Sequence, residues 1–467
     1  MTTPPPPATL TPAPPPSAAA GSAPRRPPGA HPAPPSAPGA SPAQSAAGSS
    51  PGIRGRLERA GAWIRAGLAG TPGRLRAVGI VSVAAALLFG LAAGQAFRSA
   101  DGALERAAAN SDQLVRIQAI QTNVVQADAD ATNAFLVGGL EPADQREDYT
   151  DAIASASQLI AEAAQHQPAD GNALGALNQA LVAYTGQVEQ ARANNRQALP
   201  VGAQYLRSGS ADLRDDALPL LTNLGEANNA RVTEEFDRAA RAALWLVIPG
   251  LLTLIVLGLA LFWLARRTRR YVNLPLAVAT LVVLATAVVG TVGLLAVKGG
   301  VDTTRDGVYA TTLSTAQARI AGFDAKSNES LTLIARGSGT TFEEDWQASD
   351  TVVRRELDEL AQNPTSSGLT PLPWSEYAGV HQQIRDLDES GDWDGAVDLA
   401  TGTGNATFAA FDMTSDEQLA ALSRQTSQQL DDAGGWLPIS GALGLLAGLV
   451  AAACAWWGVS LRLEEYR

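Results

Sequence analysis

YTGQVEQAR (Tyr184–Arg192) and YAGVHQQIR (Tyr377–Arg385) spell one pattern, Y-x-G-x-x-x-Q-x-R, at two places in the chain. In both copies GA follows ten positions after the Arg, in GAQYLRSG (Gly202–Gly209) and GAVDLATG (Gly395–Gly402). Upstream, FLVGG (135–139) aligns with LIARG (333–337), EDY (147–149) with EDW (344–346), and Asp130 with Glu329. The offset drifts from about 199 to 193, a change that small loop deletions explain, so the chain reads as a tandem duplication.

Around the repeats lie four apolar runs, Ala77–Phe97, Ala242–Ala265, Val272–Val297 and Trp436–Trp457, none with a charged residue. At about 1.5 Å per helical residue each is long enough to cross a hydrocarbon core of roughly 30 Å. Trp245 and Trp263 sit near the ends of the second run and Trp436 and Trp456 bracket the fourth, as interfacial anchors do. The predicted class is an all-α membrane protein in which span, four-helix bundle, span occurs twice, the copies related by an axis along the membrane normal.

Arginine sets the expected orientation. Arg54, Arg56, Arg59, Arg65, Arg74 and Arg76 precede the first run, and Arg266, Arg267, Arg269 and Arg270 fill the ARRTRRY turn between the second and third. The positive-inside rule puts these segments and the C-terminal LRLEEYR in the cytoplasm. The expected plan is a Pro/Ala-rich disordered tail (1–52) and a basic amphipathic segment (53–76), then span 1 (77–97), a first outer bundle (98–241) and span 2 (242–265). A basic turn (266–271) leads to span 3 (272–297), a second outer bundle (298–434), span 4 (435–459) and a tail (460–467). A cleaved signal peptide is the competing reading of span 1, disfavoured because its basic region would be about seventy residues long. The prolines of the tail read as a solvated spacer or, alternatively, as a ligand for an aromatic groove. The four arginines of the turn read as a topology and lipid-headgroup signal, or as a docking point for a cytoplasmic protein.

All but three of the 46 acidic residues fall in the two bundles, so the net charge of −12 belongs there and nucleic acid is not an expected partner. The single Cys454 lies in span 4, so the bundles have no disulfide, and the scattered His31, His166 and His381 suggest no metal site. No nucleophile–base spacing or phosphate loop is present, so neither enzymatic activity nor a cofactor is expected.

Within each bundle the composition predicts helices broken by Gly138-Gly139, Pro142, Pro200 and Pro219 in the first copy, with Thr341 and Glu344 at capping-box spacing in the second. Pro249-Gly250 and Pro275 are expected to kink spans 2 and 3. Tyr184 and Arg192 fall about 80° apart on an ideal helix, as do Tyr377 and Arg385. Two uses suit them: the arginines pair with Asp130 and Glu329 on the first helix of each bundle and lock its register, or Tyr and Arg together hold an acidic ligand such as an amino-acid carboxylate. The mid-helix glycines Gly186 and Gly379 cost roughly 1 kcal/mol each and point to close approach of a neighbouring helix.

With this plan, and with phrases such as ADADATNAFLVGGLEP and NESLTLIARG, residues 77–467 resemble the GlnX-type four-span membrane proteins of actinobacteria. The resemblance implies a relay: an extracytoplasmic solute-binding lipoprotein senses glutamate, aspartate or glutamine, and the membrane protein informs the cytoplasmic Ser/Thr kinase PknG, which adjusts nitrogen metabolism. Two functional readings stay open, a non-enzymatic signalling adaptor and a structural envelope protein whose bundles scaffold a complex. Pairing of two copies into a homodimer also stays open.

Overall fold

The computed structural model describes residues 71–137, 141–268 and 273–464. The chain divides into two units, Met1–Trp63 and Ile64–Arg467; the expected tail (1–52) and most of the basic segment (53–76) lie outside the described residues. Those described are helical, with no strand among them. In chain order the helices are α1 (Thr71–Val137), α2 (Ala143–His166), α3 (Gly171–Asn195), α4 (Val201–Asp212), α5 (Leu218–Thr268) and α6 (Leu274–Thr304). They continue with α7 (Ala310–Ile334), α8 (Thr340–Gln362), α9 (Trp374–Ser390), α10 (Trp393–Leu399), α11 (Asn405–Gly434) and α12 (Leu437–Glu464).

Several of these helices join into long rods. A five-residue π turn, Leu213–Ala217, links α4 to α5, and two more, Arg305–Tyr309 and Ala400–Gly404, link α6 to α7 and α10 to α11. Four rods result: Gly73–Val137, Val201–Arg266, Leu274–Ile334 and Trp393–Leu461, of 65, 66, 61 and 69 residues. At about 1.5 Å per residue each is roughly 90–100 Å long, three times the thickness of a bilayer core. Each carries a stretch apolar enough to span a membrane, and the remainder forms, with α2 and α3 or α8 and α9, one of two four-helix heads.

Pro142 caps α2, and α4 opens directly after Pro200, as the sequence suggests. Pro219 does not break the chain. It is the second residue of α5, immediately behind the π turn, whose wider bore accommodates the ring and the missing N–H. Pro275 does not kink span 3 either: it stands in the first turn of α6, where no N–H is needed, while Pro249 lies inside α5. The expected capping box at Thr341 is not formed, because α8 starts at Thr340 with Gly339 as its cap, two residues before the expected one. A Cβ on Gly339 would lie 2.7 Å from the Thr332 carbonyl oxygen, so only glycine lets the chain turn back so tightly against α7.

The spans turn large apolar side chains outward, among them Leu88, Leu91, Leu252, Leu259, Phe262, Leu281 and Val289, which suits a lipid surround. Inside, they meet on small residues. α1 and α12 cross where a Cβ on Gly448 would stand only 2.4 Å from Gly90 Cα, flanked by Gly444 on Ala93. Such contact between backbones drives helix association where lipid offers no hydrophobic gain. Thr253 of α5 donates to the Ala85 carbonyl of α1, and Gly250 packs between Phe89 and Ala287. Asn273 caps α6 and donates to the Gly458 carbonyl of α12 at 2.7 Å, tying spans 3 and 4 together.

Candidate functional site

Residues Leu174, Leu177, Leu181, Tyr184 and Val188 recur every three to four positions on α3 and form its buried face; Trp374, Tyr377, His381 and Ile384 do the same on α9. Both repeated tyrosines therefore point inward and are buried. The Tyr184 hydroxyl donates to Asp128 Oδ1 and that of Tyr377 to Glu329 Oε2, each at 3.2 Å. The two residues occupy matching places: third helix of the head, hydroxyl on a carboxylate of the first. Burial first, and the adjoining carboxylate second, raise both phenol pKa values well above normal, so both stay donors.

The arginines behave differently from the expectation. Arg192 pairs with Glu141 (2.7 Å) and Glu189 (2.8 Å) and lies over the Tyr149 ring, 4.1 Å from its centre. Arg385 pairs with Glu343 (3.1 Å), Asp388 (2.6 Å) and Glu389 (3.4 Å). Neither forms an ion pair with Asp130 or Glu329. In both copies the arginine instead reaches an acid at the start of the second helix, Glu141 just before α2 and Glu343 in the first turn of α8, where the helix dipole favours negative charge. The glycines need correction too. A Cβ at Gly186 or Gly379 would meet nothing within 4 Å, so close approach does not explain them; in the first copy it falls on Gly202, where a Cβ would lie 3.0 Å from the Ala191 carbonyl oxygen of α3.

With no arginine on it, Asp130 is left with an unpaired buried oxygen. Burial first, then the nearby charges of Asp148 and Asp412, push its pKa up to about 8. Glu329 is surrounded by partners: Lys326 Nζ at 2.7 Å, His381 Nδ1 at 2.9 Å and the Tyr377 hydroxyl. Burial alone would raise its pKa, but Lys326 and His381 hold it down to about 2. The His381 ring stacks on Trp346, 3.6 Å between centres, and its Nε2 lies 3.3 Å from Glu343, near enough for ion pairing though not aligned as a hydrogen bond. Burial opposes the imidazolium, and the carboxylates of Glu329 and Glu343 overcome it, so the His381 pKa is raised.

The heads meet along α1 and α7, and the polar centre of that seam is Asp128. It accepts from the Tyr184, Ser210 and Ser327 hydroxyls and, at 3.0 Å, from Arg214 Nη1. Ser327 is its counterpart in the second copy, so the contact lies where the duplicated helices face each other. Arg214 projects from the π turn of the first head and also holds Asp324 (2.9 Å) and Ser327 (3.1 Å) of the second. A π turn rotates the side chains that follow it and recurs at functional positions. The Asp128–Arg214–Asp324 chain is thus an ionic latch between the heads. Beside it opens a cleft of about 800 Å³ walled by α1, α5, α7 and α8. A smaller pocket of about 290 Å³ in the first head is lined by Arg146, Arg192, Arg196 and Glu141.

Sequence reasoning singled out Tyr184, Tyr377 and Glu329, which the structure brings into buried networks, and missed Asp128, Arg214, Lys326, His381, Glu141 and Glu343. Of the basic turn, Arg266 lies at the end of α5, 5.2 Å from the Phe262 ring centre; the Arg267 side chain, Arg269 and Arg270 lie outside the described residues.

Residues 103–237, which run from α1 through the whole first head into α5, match the family of the actinobacterial sensor domain. A sensor domain carried on candidate spans supports an actinobacterial sensor membrane protein, multi-pass in design. Comparison with curated proteins and with solved structures gave no match.

Proposed function

We propose that this chain is a non-enzymatic transmembrane signalling adaptor, with both heads outside the cell and the termini and basic turn inside. One observation carries the reading: each head is built from rods that continue without a loop into the spans. Packed helices of that length convert a rearrangement at the heads into small displacements at the far membrane face, the kind of transition by which such elements switch between discrete packings. The matched sensor domain and the basic residues of the turn support the direction of travel.

The proposed input is amino-acid availability (glutamate, aspartate or glutamine) sensed by a solute-binding lipoprotein that docks on the heads. The proposed output is a cytoplasmic Ser/Thr kinase of the PknG kind, met by Arg266, Arg267, Arg269 and Arg270. Direct capture of a carboxylate by Arg192 or Arg385 has less support, because each already holds two or three protein carboxylates. Recognition of the amino acid therefore falls to the partner. Photocrosslinkers at Val182 and Met413, outward-facing on the two heads, test this in cells with and without the three amino acids. The proposal expects a lipoprotein adduct whose yield changes with amino acid. An adduct insensitive to all three, or none, would favour a structural scaffold instead.

A further inference from the structure

The cleft between the heads has a chemistry that the latch leaves unused. At about 800 Å³ it falls within the range of roughly 300–1,000 Å³ typical of small-molecule sites. Its apolar walls include Leu114 and Leu313, the same position in the two copies, together with Val352. Arg214 stands at its edge but has no free donor: Nε and Nη2 face Asp324 and Ser327, and Nη1 faces Asp128 and the Ser210 carbonyl. Asp215, Glu226 and Asp345 also line the cleft, and among the described residues no hydrogen bond or ion pair engages their carboxylates. Deeper in the wall, the Gln118 side chain is only 7% exposed and its carbonyl oxygen has no partner. A buried acceptor without a donor costs about 1–3 kcal/mol, which a ligand N–H would recover.

The charged lining of the cleft is acidic, and the one cation on it, Arg214, is spent. We propose that the inter-head cleft binds a small organic cation, an amine or guanidinium on an apolar body. The body lies on the leucines, an N–H meets Gln118, and the charged end points toward Asp215 and Asp345 at the latch end, while Glu226, three turns away along α5, adds to the acidic lining. An anion would meet three carboxylates, and the rest of the polar lining, Gln121, Gln317 and Asn229, offers it only neutral amide donors. A bare metal ion does not suit either, since no group of three acidic, His or Cys side chains among the described residues is gathered to hold one. Because α1, α5 and α7 are parts of the rods, a molecule wedged there acts on the same elements that reach the membrane. Binding itself does not depend on the amino-acid relay proposed above.

The test is calorimetry on the full chain in zwitterionic nanodiscs, with empty discs subtracted, using benzylamine, benzoate and benzyl alcohol as probes that share one apolar body. The proposal expects benzylamine to bind at least roughly fivefold tighter than either other probe, since exposed pairs contribute modestly and add. Asp215→Asn with Asp345→Asn should abolish that preference while leaving benzyl alcohol unchanged, and Gln118→Leu should weaken benzylamine several-fold without lowering the melting temperature. Equal binding of amine and alcohol, or a preference that survives both variants, would overturn the proposal. Loss of the lipoprotein adduct with benzylamine binding intact would count against the relay alone.

Discussion

Replacing Arg214 by Met keeps the apolar stem and removes the guanidinium that joins the heads. The magnitude follows from the surroundings. Asp128 has 1% of its side chain exposed and Arg214 22%. Truncating one member of a buried pair costs about 3–5 kcal/mol, chiefly through the charge left behind. Two features reduce that here: Arg214 is partly solvated, and Asp128 keeps its three hydroxyl donors from Tyr184, Ser210 and Ser327. A loss of about 2–3 kcal/mol is expected, or roughly 5–10 °C in melting temperature for units of this size. Adding Asp128→Asn removes the stranded charge, so the double variant should recover about 1–2 kcal/mol relative to the single one. Thermal melting of the full chain in nanodiscs, combined with a spin-label distance between positions 182 and 413 on the two heads, measures both stability and separation. A single variant that melts within 1 °C of the wild type, or a double variant no better than the single, would refute the latch.

Three further outcomes are expected. Asp130→Asn should stabilise the fold increasingly between pH about 4 and about 8, by at most about 1.4 kcal/mol per pH unit, because over that window the native acid keeps a proton that the unfolded chain has released; melting curves across that range check it. His381 has a raised pKa, with Glu329, Glu343, Lys326 and Arg385 as its charged surroundings. Its contribution should be fully present below about pH 6.5 and fade as pH climbs through the raised value, and His381→Gln should lack that alkaline slope in a melting series. Gly448→Leu places a side chain where Gly90 Cα stands 2.4 Å from the would-be Cβ, so spans 1 and 4 should separate, seen as lost crosslinking between cysteines placed at positions 87 and 449.

Much of this architecture was legible because duplication writes it twice. The apolar runs follow from composition, the helix start at Pro142 from turn chemistry, and the matched positions of the two tyrosines from the repeat. The ion pairs were not legible. A step of two residues on a helix is about 200°, so pairing the repeated motif with Asp130 rather than Asp128 selects nearly the opposite face, and two carboxylates in DAD give no local sign of which one meets the third helix. The cross-helix partners of Arg192 and Arg385, Glu141 and Glu343, sit at the start of the second helix of each head and not on the first, where Asp130 and Glu329 lie. Arg214 has no counterpart arginine in the second copy, so the repeat that revealed the tyrosines concealed it, and a π turn leaves little mark on composition. Gly90, Gly94, Gly444 and Gly448 did carry a signal, small residues four apart in apolar runs.

Both heads must lie on the outer face for any of these contacts to report the environment. The direct measurement is labelling of intact cells with a membrane-impermeant maleimide, using single cysteines at exposed Arg196 and Glu389 in a background with Cys454→Ala. The account predicts that both positions label without permeabilisation. Protection of either one until the cells are opened would contradict it.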